Sequence, residues 1–274
     1  MKKIILSLLL LCAAVGIQAQ TDRYACWLNA ATGAWEWGFF KDFAVHDARQ
    51  WQYAAVKEGR KKTAVTLRSG KETLQLEIRY QNDSVCTIAV DDGKAQTYRL
   101  WNSAKSILSY LPADTAASRP CQFHENSVML RGYLPDFPNQ NLEYIYYERF
   151  QDTQKIANVP TDSIGRFELS IPVLGRTEVL FRIQSHMFSL LLSPQSECFL
   201  WIKGNSFLMM GENGRINHEL SDIQESFFVQ PKTLRYPNVV SDSVCLSEIR
   251  KGLAEKEHAL DALLKKHPNL SEDF

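Results

Sequence analysis

The stretch Lys62-Thr-Ala-Val-Thr-Leu-Arg-Ser-Gly-Lys-Glu-Thr-Leu-Gln-Leu-Glu-Ile-Arg-Tyr80 alternates apolar and polar residues on both sides of one turn. Val65 and Leu67 share one face before the turn, and Leu74, Leu76 and Ile78 share one face after it. A period of two is typical of strands with one buried face, and a Ser-Gly turn is suited to joining antiparallel strands. The stretch therefore predicts a β-hairpin.

The same rhythm continues on the C-terminal side of this hairpin. Residues 84–90 predict a third strand, closed by Asp91-Asp92-Gly93, and residues 95–101 predict a fourth. Residues 51–101 are thus expected to form an antiparallel β-meander. Pro112 and Pro120 then break the pattern. A second series of short strands follows and predicts a β-sandwich, with strands at 128–134, 142–150, 166–171, 178–183, 189–192 and 198–203.

The C-terminal region changes from a strand period to a helical one. Residues 215–228 predict a helix with Ile216, Leu220, Ile223 and Phe227 on one stripe. Residues 243–267 predict a longer helix, ended by Pro268, with apolar residues at helical spacing. These residues are Leu246, Ile249, Leu253, Leu260 and Leu263. The expected fold is mainly β, with an antiparallel meander, a β-sandwich and an α-helical connector.

The expected domain organisation follows from these patterns. It comprises an N-terminal β-rich unit at 20–111, a linker at 112–126, a β-sandwich domain at 127–210 and a helical connector at 211–274. Ser271-Glu-Asp-Phe274 has a cap residue followed by acids, as at the start of another helix. We therefore expect the connector to be truncated at Phe274.

Residues 1–19 have the layout of a secretory signal peptide. Lys2 and Lys3 precede an apolar run at residues 4–11, and small residues lead to a cleavage site before Gln20. The run is too short to span a bilayer, so no transmembrane anchor is expected after cleavage. Cys12 follows Leu11, which is too large for a lipid-attachment site. The sequence predicts an exported protein of the periplasm or cell envelope.

Charge and cysteine content exclude some functions and leave others open. The chain has 31 basic and 31 acidic residues, and loss of Lys2 and Lys3 leaves 29 against 31, a net charge of −2. Nucleic-acid binding is therefore not expected. Five cysteines remain after cleavage, an odd number whose pairing stays open. Cys86 and Cys198 are expected to be buried small hydrophobes on strand faces, whereas no role is assigned to Cys26, Cys121 and Cys245.

The candidate binding residues are three tryptophans, Trp35, Trp37 and Trp51. Exposed aromatic rings can stack on a sugar or a peptide, and buried ones close a core, which is the reading we favour. Trp35 and Trp37 are two residues apart and are expected to share a strand face.

No catalytic, metal-binding or cofactor-binding set is predicted. The pairs His46-Asp47, His218-Glu219 and Glu257-His258 lack metalloprotease spacing and are expected to be solvated. No G-x-S-x-G motif of a serine hydrolase occurs. The segment Gly211-Glu-Asn-Gly-Arg215 lacks the P-loop lysine and predicts a turn into the next helix.

Four segments carry a resemblance to a known family. Trp35-Glu-Trp-Gly-Phe-Phe-Lys-Asp-Phe-Ala-Val-His46 and Trp51-Gln-Tyr53 resemble the start of exported TlpA-like thiol-disulfide oxidoreductases of Bacteroidetes. Asp162-Ser-Ile-Gly-Arg-Phe-Glu-Leu-Ser-Ile-Pro172 and Gly211-Glu-Asn-Gly-Arg-Ile-Asn-His-Glu-Leu220 resemble the β-sandwich domain that precedes the thioredoxin module in that family. The family's W-C-x-x-C motif is absent from this sequence, so no catalytic residue carries over.

The resemblance implies a non-catalytic accessory module that positions or dimerises a redox domain of an envelope oxidoreductase. The expected partner is a thioredoxin-like domain or a second copy of the chain, bound through the helix at 243–267. Lys256 lies on the stripe of that helix and argues against an uninterrupted coiled coil. The alternative is a stand-alone envelope protein that binds a peptide or a glycan. An enzyme is the third hypothesis, and it requires titratable side chains that converge in one pocket.

Overall fold

The computed structural model describes residues 25–59, 61–114, 126–148, 153–223 and 241–273. The first unit is a closed barrel of eight antiparallel strands, in which each strand pairs with the next and the last pairs with the first. The strands are β1 (Ala25–Asn29), β2 (Trp35–Phe39), β3 (Phe43–His46), β4 (Arg49–Glu58), β5 (Thr63–Ser69), β6 (Glu72–Asn82), β7 (Val85–Val90) and β8 (Gln96–Leu100). A 3-10 helix, Ile107–Tyr110, follows the barrel.

The second unit is a β-sandwich of two four-stranded sheets. One sheet has the order β11-β10-β13-β14 and the other the order β12-β9-β15-β16, with β9 and β15 parallel. The strands are β9 (Asn126–Tyr133), β10 (Asn141–Glu148), β11 (Thr153–Pro160), β12 (Arg166–Val173), β13 (Thr177–Ile183), β14 (His186–Leu192), β15 (Glu197–Lys203) and β16 (Ser206–Gly211). The sandwich core is built from alternate residues of both sheets.

The predicted fold class is confirmed, since the chain is mainly β with a helical C-terminal segment. The four predicted strands of the meander correspond to β5–β8. A tight turn precedes β12, in which Asp162 accepts hydrogen bonds from the backbone N–H groups of Ile164 and Arg166. Gly165 has a φ of +94° at this turn, a conformation that a side chain would strain.

The barrel and the sandwich are joined by a continuous apolar interface, which we call the interface cluster. The barrel wall contributes Cys26, Leu28, Trp35, Phe40, Phe43, Val45 and Ala48, the 3-10 helix contributes Ile107, and the sandwich contributes Tyr133, Phe199, Trp201, Leu208 and Met210. In β15, Cys198 and Leu200 face the sandwich core, while Phe199 and Trp201 face the barrel. A strand buried on both faces needs an unbroken apolar run, which is what β15 has.

In the described part of the chain, the strands are followed by the helices α1 (Gly214–Asp222) and α2 (Asp242–Lys266). The predicted long helix at 243–267 corresponds to α2 within one residue. The prediction for 215–228 is only partly correct, because α1 ends at Asp222. Within the predicted stripe, Ile216 is buried, whereas Leu220 is 46% exposed. Phe227 and most of the predicted linker lie outside the described residues.

Candidate interaction surface

Helix α2 presents apolar side chains to solvent along its length. The side chains of Leu246, Leu253 and Leu260 are 54%, 55% and 40% exposed. Val244 and Leu264 are exposed as well, and the buried residue of this helix is Leu263, near its C-terminal end. In the part of the chain that the structure describes, no strand or other helix has more than slight contact with α2. Leu246, Leu253, Leu260 and Leu264 lie on one face of the helix, and this row, the leucine stripe, is the candidate interaction surface.

The segment that follows α2 is tied to α1 through a buried carboxylate. Glu219 is fully buried, and its Oε1 accepts hydrogen bonds from the Ser271 backbone N–H at 2.9 Å and from Arg215 Nε at 3.0 Å. The Ser271 hydroxyl donates to Glu219 Oε2. A buried carboxylate is tolerated where charge and hydrogen bonds compensate its lost hydration, as they do here.

The contact between Glu219 and Ser271, which we call the C-terminal tie, is extended by further contacts to the rest of the molecule. Arg215 Nη2 donates to the Pro112 carbonyl at 3.0 Å and to the Asn269 carbonyl at 2.6 Å. Asp273 forms an ion pair of 3.1 Å with Arg176, which lies in the sandwich between β12 and β13. These contacts fix the C-terminal end of α2 to the rest of the molecule, while the leucine stripe along the helix stays exposed.

Helix α1 closes an open side of the sandwich with polar side chains. Asn217 accepts a hydrogen bond from the Leu191 backbone N–H and donates to the Leu191 carbonyl, both at 2.8 Å, as a neighbouring strand would. His218 Nε2 accepts a hydrogen bond from the Met209 backbone N–H at 2.7 Å. Leu191 lies on β14 and Met209 on β16, which are edge strands of the two sheets. The helix thus covers both edges, which would otherwise be open to pairing with another chain.

The expectation that His218 and Glu219 are solvated is wrong, because both are buried. Burial lowers the pKa of His218 to about 3, since the cation would lose its hydration there. His46 is half-buried and stacks on Trp37 at 3.7 Å between ring centroids. Asp47, Glu257 and His258 are exposed, as expected. Among the described residues, no cluster of His, Cys, Asp and Glu side chains could hold a metal ion.

His218 makes the stability of the fold dependent on pH. The folded state keeps this imidazole neutral, whereas the unfolded chain binds a proton near the ordinary pKa of 6.5. The stabilisation is therefore present above pH 6.5 and is lost as the pH falls. Between pH 7 and pH 5, we expect His218 to reduce the free energy of unfolding by about 2 kcal/mol, measured by urea denaturation.

Two glutamine variants separate His218 from the other titrating groups. His218→Gln keeps an acceptor near the Met209 N–H, and the difference in stability between pH 7 and pH 5 should shrink by about 2 kcal/mol. His258→Gln changes an exposed residue of α2 and should leave that difference unchanged. An equal pH dependence in His218→Gln and the wild type would contradict the prediction.

The three candidate tryptophans are all buried, in two separate places. Trp37 and Trp51 fill the barrel interior, whereas Trp35 belongs to the interface cluster. Trp35 and Trp37 do not share a face, because Leu28 pairs with Trp35 while the preceding Trp27 pairs with Trp37. Glu36 is the extra, unpaired residue of this β-bulge. The structure thus gives these rings packing roles, and ligand binding by them stays a prediction.

The bulge also directs Glu36 into a polar network that the sequence patterns did not indicate. The Glu36 carboxylate accepts hydrogen bonds from the Tyr98 hydroxyl and from Asn29 Nδ2, both at 2.9 Å. Asn29 Nδ2 also donates to Gln96 at 2.9 Å. The network joins β1, β2 and β8 where the barrel closes.

The described cysteines are free thiols. Cys86 lies in the barrel interior and Cys198 in the sandwich core, which confirms their expected packing roles. Burial raises the pKa of the Cys86 thiol to about 12 and also raises that of Cys198, so neither is a ready nucleophile. Cys26 is buried in the interface cluster and Cys245 is half-buried on α2. Cys121 lies outside the described residues.

A small cavity lies beside the C-terminal end of α2. It has a volume of about 270 Å³ and lies between the 3-10 helix and residues 266–270. Leu108, Leu111 and Leu270 give it apolar walls, and Lys266 and Asn269 add polar groups.

Among the described residues, no helix combines the length and the apolar character needed to cross a membrane. Comparisons of the chain with protein-family models, with curated proteins and with solved structures gave no match.

Proposed function

We propose that this chain is an exported, non-catalytic module that positions a thioredoxin-like redox domain of an envelope thiol-disulfide oxidoreductase. The observation that carries the proposal is the leucine stripe, an apolar helix face that stays exposed on a helix whose base is fixed. Exposed apolar surface of this kind marks an interaction site. The segments that resemble TlpA-like proteins supply the class of the domain to be positioned.

The barrel and the sandwich are firmly joined, and this joined unit, which we call the body, supports a positioning role. The interface cluster joins barrel and sandwich through large buried rings, among them Trp35, Phe43 and Trp201. Arg131 of the sandwich adds a hydrogen bond across the same boundary, to the Ala48 carbonyl at 3.3 Å. Its guanidinium is held by Glu197 of the same sheet, at 2.8 Å. A domain held by such a body would keep a defined place.

The use of the buried polar side chains also supports a structural role. Glu219, His218 and Glu36 each accept a hydrogen bond that joins two elements of the fold. In the C-terminal tie, in α1 and at the barrel closure, these groups are committed to neighbours within the chain.

The test is to sequence the gene through and beyond codon 274. We expect an in-frame continuation that encodes a W-C-x-x-C motif, the redox pair of a thioredoxin domain. A stop codon directly after Phe274 would contradict the proposal.

One observation favours the alternative, a stand-alone protein that binds a peptide or a glycan. The cavity beside residues 266–270 combines apolar walls with an ammonium and an amide group. Such a mixture suits a small ligand with both polar and apolar parts. A stop codon after Phe274 would make this function the better account.

A further inference from the structure

We infer that the leucine stripe binds a second copy of this chain, whose helix α2 packs antiparallel about a two-fold axis beside Leu253. The inference rests on the proposed positioning role and names what the stripe binds, since two modules joined through α2 would position their redox domains as a pair. An interface between identical copies must be self-complementary, so that each residue meets its counterpart across the axis.

The apolar side chains of the stripe have this symmetry. Leu246 and Leu260 each lie seven residues from Leu253, one on either side. An antiparallel pair centred beside Leu253 places Leu246 of one copy against Leu260 of the other. Leu253 of one copy meets Leu253 of the other at the axis. The three central leucines of the stripe thus all find an apolar counterpart in this single arrangement.

The charges beside the stripe are complementary in the same arrangement, although they are offset by one residue from exact symmetry about Leu253. Arg250 lies three residues before Leu253 and Glu257 lies four residues after it. Antiparallel packing brings Arg250 of each copy next to Glu257 of the other, so that two ion pairs flank the axis.

Parallel packing would have the opposite electrostatics. Arg250 would lie beside Arg250 of the second copy, and Glu257 beside Glu257. Like charges placed side by side in this way disfavour parallel packing.

The position of the body on α2 favours the antiparallel arrangement as well. The helix has 25 residues and is fixed to the body at its C-terminal end, and a helix of that length spans about 37 Å. Antiparallel packing places the two bodies at opposite ends of the helix pair. Parallel packing would place both bodies at one end, where they compete for the same space.

The first experiment measures assembly and the direction of packing. Sedimentation equilibrium of the chain from Gln20 to Phe274 is expected to show a dimer, and Leu253→Asp, which puts two carboxylates at the axis, a monomer. Circular dichroism of Leu253→Asp should match the wild type, because Leu253 is exposed in the single chain. A wild-type protein that stays monomeric at every concentration would overturn the inference.

Single cysteines then report the direction. In a Cys245→Ser background, Leu253→Cys should form an intermolecular disulfide on oxidation, because the two Cα atoms meet at the axis. Leu246→Cys should not, since its counterpart is Leu260. Equal cross-linking at both positions would indicate parallel packing and overturn the inference.

A charge exchange tests the ion pairs. Arg250→Glu alone and Glu257→Arg alone are each expected to raise the dimer dissociation constant about tenfold, because each creates repulsion at two symmetric places. The double variant restores both pairs and should return the constant to within about threefold of the wild type. Failure of the double variant to recover would contradict the antiparallel contact. These outcomes concern assembly alone, so they are independent of what lies beyond codon 274.

Discussion

Replacing Trp37 by alanine is expected to lower the free energy of unfolding by about 3–5 kcal/mol, the cost of removing a large buried aromatic side chain. Trp37 has no exposed surface, and its indole lies parallel to His46 and to Phe39, with ring centroids 3.7 and 5.7 Å away. Alanine would leave a void in the barrel that neighbouring strands cannot fill without distortion. Guanidinium denaturation followed by tryptophan fluorescence and circular dichroism measures the change.

Two further variants show whether the loss belongs to the core. Trp37→Phe keeps much of the ring volume and should cost less than Trp37→Ala. Tyr147→Ala removes an aromatic ring on β10 that is 58% exposed, and it should change the free energy of unfolding by about 0.5 kcal/mol or less. If Trp37→Ala were as stable as the wild type, the packing role of this ring would be wrong and the ligand-binding prediction would gain support.

The difference between β5–β8 and β1–β4 shows what strand patterns can predict. In β5, Val65 and Leu67 face the interior while Ala64 and Arg68 face solvent, so the sequence alternates. In β1, all five residues are buried, because one face lines the barrel and the other meets the sandwich. Alternation disappears where both faces are buried, and barrel closure could not be predicted from the sequence.

The placement of Trp35 and Trp37 failed for a related reason. Spacing of two residues places side chains on one face only in a regular strand. The bulge at Glu36 breaks that rule, and what stabilises it is contact with Asn29 and Tyr98 on two other strands. Such contacts depend on the closed barrel and have no local signal.

The candidate surface was predicted in part. The helical period of Leu246, Leu253 and Leu260 is local, so the stripe could be predicted from the sequence. The C-terminal tie could not, because Glu219 and Ser271 are 52 residues apart. The i, i+4 spacing of Arg215 and Glu219 was a visible signal of an ion pair, but such pairs are usually exposed.

Replacing Glu219 by alanine is expected to lower the free energy of unfolding by about 3 kcal/mol, the lower end of the range for breaking a buried ion pair. The loss leaves the Ser271 N–H and hydroxyl without their acceptor in a buried position. Arg215 loses its buried partner but is 25% exposed on its side chain and keeps two carbonyl acceptors, which moderates the cost. Urea denaturation measures the loss. Hydrogen exchange should show faster exchange of the Ser271 amide and of the last turn of α2.

An exposed ion pair provides the matched control. Glu72→Ala removes a carboxylate that is 64% exposed and lies 3.5 Å from Arg49, and should cost less than about 1 kcal/mol. Ser271→Ala combined with Glu219→Ala completes a double-mutant cycle, in which a coupling of about 1 kcal/mol or more is expected from the direct hydrogen bond. Additive effects of the two substitutions would mean that the tie does not hold α2 to the body in solution. The leucine stripe would then lack the fixed base on which its positioning role depends.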